Sequence, residues 1–263
     1  MAADPLAGRH ALVTGASKGI GRAAAIALAR LGAEVTVLAR SVDRLDALRL
    51  ELLQAGAPKA HALAADMDDR PALASRIREH VGKRGNVHIL VNNAGGPPSG
   101  RLLDVEDEEA FLVPFGRHVL AFHLLVRLCL PGMQQAGFGR IVNVISTSVR
   151  EPIPGLGVSN TVRAAVAAWA KTLSRELPPG ITINSVLPGY TETERLDELA
   201  RQVSEKTGKS EDDVRKGWLS ATPEGRLGRP EELGAAIAFL CGADAGFIRG
   251  VSLPVDGGRL HGI

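Results

Sequence analysis

The stretch HALVTGASKGIGRAAAIALARLG, residues 10–32, decides the fold. Its apolar opening, HALV, reads as a buried strand, and the Ala-rich run after Gly21 reads as a helix. Between them stands TGASKGIG, Thr14 to Gly21. Gly15, Gly19 and Gly21 allow a tight turn and the close approach of a pyrophosphate to the helix N-terminus, where free N–H groups and the helix dipole favour anions. The spacing is G-x-x-x-G-x-G rather than G-x-G-x-x-G. Its position between a first strand and a first helix predicts a dinucleotide site.

Outward from this turn, short β-rich runs alternate with helical patterns: EVTVLAR, RLDALRLELLQAG, KAHALAAD, PALASRIREHVGKRG, VHILVNNAG, GRIVNVIS, a helix from about Ser159 to Glu176, ITINSVLPG, a helix around Glu231 to Cys241, and GVSLPVDGG. This alternation predicts an α/β fold, a Rossmann-type doubly wound parallel sheet of about seven strands with helices on both faces. No repeat or linker divides the chain, so residues 1–263 are expected to form a single domain. Residues 191–230, charged and with an interrupted helical pattern, read as a mobile lid over a pocket.

The 263 residues are 45% hydrophobic, ample for a core. With 31 basic and 29 acidic residues mixed along the chain, the net charge of +2 announces no face for nucleic acid. No apolar run approaches the roughly 20 residues of a membrane span, and the N-terminus lacks a leader pattern, so a soluble, cytoplasmic protein is expected, with no membrane partner. Cys129 and Cys241 lie in apolar helical surroundings and are expected as reduced core thiols. No metal-ligand spacing is found, and His10, His61, His80, His88, His123 and His261 are expected to be structural.

At the end of the second strand, where an Asp or Glu would take a ribose diol, the chain has Ala39, Arg40 and Ser41. A guanidinium there suits a 2′-phosphate, and Lys18 adds a second positive charge, so NADP(H) is favoured over NAD(H).

These motifs, in this order, resemble the short-chain dehydrogenase/reductase family almost end to end. TGASKGIG matches the family's cofactor turn, AADMDD puts Asp66 at its adenine contact, NNAG (Asn92 to Gly95) follows the fourth strand, LPG (Leu187 to Gly189) matches the nicotinamide-side loop, and PVDGG ends the last strand. The tail is most similar to the branch containing 3-oxoacyl carrier-protein reductases. The resemblance implies cofactor contacts at Thr14, Gly15, Ser17, Lys18, Gly19, Ile20 and Gly21, at Arg40 and Ser41, and at Asp66 and Met67. It implies others at Asn93, Ala94 and Gly95, at Arg163, and at Pro188, Gly189, Thr191 and Thr193. It also implies a homo-oligomer, a dimer or tetramer, built on the helix after Ser159.

The family's active site joins an Asn, a Ser and a Tyr-x-x-x-Lys pair. A phenol works as acid or base while the ammonium lowers its pKa and holds the nicotinamide ribose. Ser146, at the end of IVNVIS, falls at the family's serine. The tyrosine position carries Ser159, the lysine position Arg163, and His118 lies about where the Asn belongs. An alcohol cannot replace a phenol of pKa near about 10 as proton donor, and an arginine stays protonated. Tyr190, the chain's one tyrosine, and His118 are the candidate substitutes.

REPIPGLG, Arg150 to Gly157, is expected to wall the substrate pocket with Ile153, Pro154 and Leu156, and Arg150 to meet an acidic group. Arg117 and Arg127 are candidates for docking an acidic carrier, and Trp169 and Trp218 are expected to pack. Three readings stand. One is an NADP(H)-dependent oxidoreductase interconverting a ketone, with a 3-oxoacyl thioester among the candidates, and a secondary alcohol through a rearranged proton path. The others are a silent NADP(H)-binding sensor or partner subunit, and a redox-neutral lyase or epimerase. The small-molecule substrate is not named by these residues.

Overall fold

A computed structural model describes residues 4–262. The chain runs β1 (His10–Thr14), α1 (Gly19–Arg30), β2 (Glu34–Ala39), α2 (Val42–Ala55), β3 (Ala60–Ala64), α3 (Arg70–Arg84) and β4 (Ile89–Asn92). It continues through α4 (Glu109–Phe115), a π-helical turn (Gly116–Leu120), α5 (Ala121–Gln135), β5 (Gly139–Val144) and α6 (Gly157–Glu176). The last part is β6 (Ile181–Pro188), α7 (Glu194–Thr207), α8 (Glu211–Ser220), α9 (Pro230–Cys241) and β7 (Ser252–Val255).

The seven strands pair in parallel in the order β3-β2-β1-β4-β5-β6-β7. The order reverses between β1 and β4, and the helices that follow these strands leave on opposite faces there, which opens a crevice at the strands' carboxyl ends. Strand periodicity divides the core. Ala11, Val13, Val35, Val37, Val91 and Val142 face α1, α2 and α9, while Leu12, Leu38, Leu90, Ile141 and Ile183 face α3, α5 and α6. Both faces are covered, so the strands read as continuous apolar runs. Helix α9 lies against α1 through Gly234, where a Cβ would stand 2.8 Å from the Ala23 carbonyl oxygen.

One expectation changes. Helical structure is continuous from Glu109 to Gln135, 27 residues that by length and composition could cross a membrane, although no such run was expected. Its register explains it: Phe122, Leu125, Val126, Cys129 and Met133 fill the core, and Leu112, Val113, Phe115 and Leu120 are exposed. The segment 191–230 holds two helices with a small core of their own, Leu196, Ala200, Val214 and Trp218. Thr193 caps α7 by accepting from the Leu196 N–H, Ser210 caps α8 by accepting from the Asp213 N–H, and Gly208 ends α7 in the left-handed region. Cys129 and Cys241 are buried, free thiols, pushed up to about 12 by burial.

The histidines scattered along the sequence converge below α3. His10 Nε2 and His80 Nε2 each lie 2.8 Å from Thr36 Oγ1, and His61 Nε2 lies 2.9 Å from Glu34 Oε1. The three rings are 5.6 to 6.1 Å apart, and His88 Nδ1 accepts from the His10 N–H.

Candidate active site

A cleft of about 820 Å³ runs along the carboxyl ends of the strands. Its first wall is the turn between β1 and α1. Thr14 Oγ1 donates to the Asn93 carbonyl at 2.8 Å and accepts from the Asn93 N–H at 2.9 Å, while Asn93 Nδ2 donates to the Gly15 carbonyl at 3.0 Å. The loop after β4 therefore holds the turn from behind. A Cβ on Gly15 would meet Asn93 O at 2.5 Å, and one on Gly21 would meet Gly15 O at 2.5 Å, so no side chain fits at either position. Gly15, Ser17, Lys18, Gly19 and Ile20 line the cleft. Thr14 and Gly21 lie behind it: the first is fully buried and the second is buried in α1, so both shape the turn rather than wall it. Lys18, the N-cap of α1, makes no side-chain cap, and the first turn contains no acidic residue. That leaves an uncapped helix end that suits a pyrophosphate.

At the β2 end, Arg40, Ser41, Asp66 and Met67 line the cleft, joined by Arg44, which sequence reasoning missed. Arg40 is largely exposed, with Asp66 4.0 Å away. Lys18 Nζ donates to Glu194 Oε2 at 2.7 Å, and Arg44 Nη1 donates to Glu194 Oε1 at 3.3 Å. The cations thus outnumber Glu194 where a 2′-phosphate would sit, and the residues present fit a phosphorylated dinucleotide. Arg117 is not on a docking face. It pairs with Asp68, its Nε donating at 2.8 Å, and lines this end of the cleft. That pairing holds the Asp68 carboxyl below its usual range and raises the guanidinium.

Asn93, Ala94 and Gly95 form the floor, and Pro188, Gly189, Thr191 and Thr193 form the side below α7. Ser146, Ser159, Arg163 and Tyr190 also line the cleft. Ser146 Oγ accepts from the Ser148 N–H at 3.0 Å, which fixes the hydroxyl at the end of β5. Arg163 is buried, and its Nη1 donates to the carbonyls of Val144 and Ile145 at 2.9 and 3.1 Å. The long Arg163 side chain is thus tied to the β5 terminus. Burial, with Arg195 nearby, lowers it to about 10, so it stays charged at neutral pH. Tyr190 stacks on Trp218 with ring centroids 5.2 Å apart.

His118 does not reach the cleft. It is fully buried in the π-helical turn, its Nε2 lies 3.1 Å from the Gly95 carbonyl oxygen, and its Nδ1 has no partner. Burial, then the Arg163 charge, pushes it well below the ordinary histidine range, so it is neutral and supports the Gly95 loop. Ile153 and Leu156 line the cleft, whereas Pro154 faces a separate surface groove. Arg150 is also turned away, its Nη2 donating to the Ser252 carbonyl at 3.1 Å. The basic groups at the substrate end are instead Arg195 and Arg259, neither anticipated. Arg195 sits in the charged pattern of 191–230 and Arg259 in a short tail, with no local motif to single them out.

This sheet order, with a phosphate-binding turn at its switch point, defines the dinucleotide-binding class of α/β proteins. A family model described as enoyl-(acyl carrier protein) reductase matches residues 15–259. The chain is 33% identical over 252 residues to the 3-oxoacyl acyl-carrier-protein reductase FabG of Haemophilus influenzae, covering 95% of this chain and 98% of that protein. It is 30% identical over 260 residues to the NADPH-dependent reductase BacG of Bacillus subtilis, covering 97% and 99%. The structure of L-sorbose reductase from Gluconobacter frateurii, complexed with NADPH and L-sorbose, superposes with a TM-score of 0.91 at 28% identity, covering 99% of this chain and all of that one. The chain belongs to the short-chain dehydrogenase/reductase family.

Proposed function

We propose that the protein is an NADP(H)-dependent oxidoreductase that interconverts a ketone and a secondary alcohol. The carrying observation is one continuous cleft that joins the basic cluster of Lys18, Arg40 and Arg44 to the Ser146 hydroxyl. The turn from Gly15 to Ile20, with Lys18, Arg40 and Arg44, would hold the dinucleotide, which when bound in its reduced form would supply hydride to a carbonyl carbon and become oxidised, leaving one proton to be delivered to the carbonyl oxygen.

The chain's own residues orient and polarise. Ser146 donates to the substrate oxygen. Arg163 stabilises negative charge growing on that oxygen as a fixed cation, because a group at about 10 does not give up its proton at neutral pH. Ser159 leaves room where the family's phenol stands. The proton therefore comes from water or from the Tyr190 phenol on the cleft wall. A weaker acid means a slower enzyme than relatives with the Tyr and Lys.

The absence of that phenol favours a second reading, a silent NADP(H)-binding protein. One experiment separates the two: NADPH and NADH affinities and NADPH oxidation against a ketone panel, on the same sample. The expected result is NADPH bound at least about 10-fold more tightly than NADH, with slow turnover that falls at least about 10-fold in Ser146→Ala at unchanged NADPH affinity. NADPH binding with no oxidation of any ketone favours the silent protein.

A further inference from the structure

We infer that the substrate carries a carboxylate, and that Arg259, with Arg195, is the group that selects it. The inference deepens the ketone–alcohol reading and rests on it. The substrate half of the cleft is lined by three guanidinium groups, Arg163, Arg195 and Arg259, and by no carboxylate. The cleft's two acidic residues lie at the other end, Asp66 near Arg40 and Glu194 on Lys18 and Arg44.

Arg259 is held from several sides. Asp256 accepts from the Gly258 and Leu260 N–H groups at 3.1 and 2.9 Å, which ties the turn after β7. Beyond it, the His261 and Gly262 N–H groups donate to Glu151 Oε1 at 2.7 and 3.2 Å, folding the tail over the loop after β5. The guanidinium so delivered donates from Nη1 to Thr147 Oγ1 at 2.9 Å, one residue from Ser146. Its Cζ lies 5.0 Å from the centre of the Tyr190 ring, which is backed by Trp218. No carboxylate pairs with it among the described residues, so most of its five N–H donors remain for a ligand. A guanidinium resting on an aromatic face with its edge free is built to take a planar carboxylate side-on.

Arg195 approaches from the opposite wall. Its Nη2 donates to the Pro97 carbonyl at 2.5 Å, and among the described residues it pairs with one carboxylate, Glu198, at 3.5 Å on its own helix. Arg163 Nη2 and Arg195 Nε lie 3.5 and 3.7 Å from the point a Cβ on Gly96 would occupy, so two positive groups converge on one spot. Two guanidinium groups brought together, one of them buried, repel each other, and an anion seated between them relieves that cost. Ile153 and Leu156 supply an apolar wall for the rest of a small molecule. A carrier-protein thioester has no charge near its reacting carbonyl and makes no use of Arg259; an oxo acid, reduced to the hydroxy acid, does.

The test has two arms. The NADPH complex is titrated calorimetrically with malonate, a dicarboxylate with no ketone, and NADPH oxidation is followed for oxo acids, their methyl esters and a phosphorylated ketone. The expected result is saturable malonate binding, weakened about 10- to 100-fold in Arg259→Gln and partly restored in Arg259→Lys. Oxo acids should exceed their esters in kcat/KM by a similar factor, through KM, and the acid-to-ester ratio should collapse towards one in Arg259→Gln, with NADPH affinity, read at the far end of the cleft, as the control. Esters as good as acids, a preference for the phosphorylated ketone, or malonate binding that ignores Arg259→Gln each overturn the inference. If no ketone of any kind is reduced, the oxidoreductase reading fails, and the malonate arm alone still decides whether the anion site exists.

Discussion

Gly15 has φ +58°, and any side chain there meets the Asn93 backbone. Two penalties coincide, a left-handed backbone and a clash with main chain that cannot rotate away. Gly15→Ala is expected to cost about 2 kcal/mol or more of stability, read as a lower urea midpoint at unchanged m-value, and to weaken NADPH binding because the turn moves. Ser159 and Arg163, reached by counting the family's spacing from Ser146, both line the cleft. His118 was legible as a residue but not as a position. Nothing local says that its ring turns towards the Gly95 carbonyl and away from the cleft.

At the scale of elements, the three-histidine cluster joins β1 and α3 through Thr36 on β2, and β3 through His61 on Glu34 of β2. Burial lowers both His10 and His80 to about 4. Glu34 opposes this at both; His61 and His88 reinforce it at His10; His10, His61 and Arg84 reinforce it at His80; and Lys59 pairs with Glu34 at the edge. In the unfolded chain these imidazoles titrate near about 6.5, so between that pH and 4 the unfolded state binds more protons. The stability linked to their neutrality is complete above about pH 6.5 and is lost as pH falls towards 4. Each excess proton contributes a slope of about 1.4 kcal/mol per pH unit. Urea midpoints measured from pH 7 to 4.5 should fall steeply, and His80→Gln should flatten the fall by about one proton. An unchanged slope in that variant would remove His80 from the cluster's titration.

Sequence periodicity named the helices of the lid segment only as an interrupted charged pattern. Their caps, Thr193 and Ser210, and the Tyr190–Trp218 stack that anchors them became visible once the segment was folded. Lid motion remains our proposal. Glu194 on Lys18 and Arg44 ties α7 to the cofactor end, and Arg195 on Pro97 ties it to the loop after β4, so opening the cleft breaks both contacts.

For the whole molecule, we propose a homo-oligomer formed on the α4–α5 and α6 faces. Leu112, Val113, Phe115 and Leu120 are all more than a third exposed, an apolar stripe that water does not favour. Sedimentation should give a dimer or tetramer, and Leu112→Glu should lower the mass towards one chain. A wild-type monomer would refute it.

Sequence alone determined the parallel sheet and the glycine-rich turn at its first strand, because strand alternation and glycine spacing are local and need no partner. The tertiary fold decided where charge gathers. Arg259 reaches Thr147 only because the chain's end folds back over the loop after β5, and Arg195 meets Arg163 only because α7 lies across the cleft. Contacts between segments so distant in sequence depend on packing, and the substrate end of the cleft is made almost wholly of them.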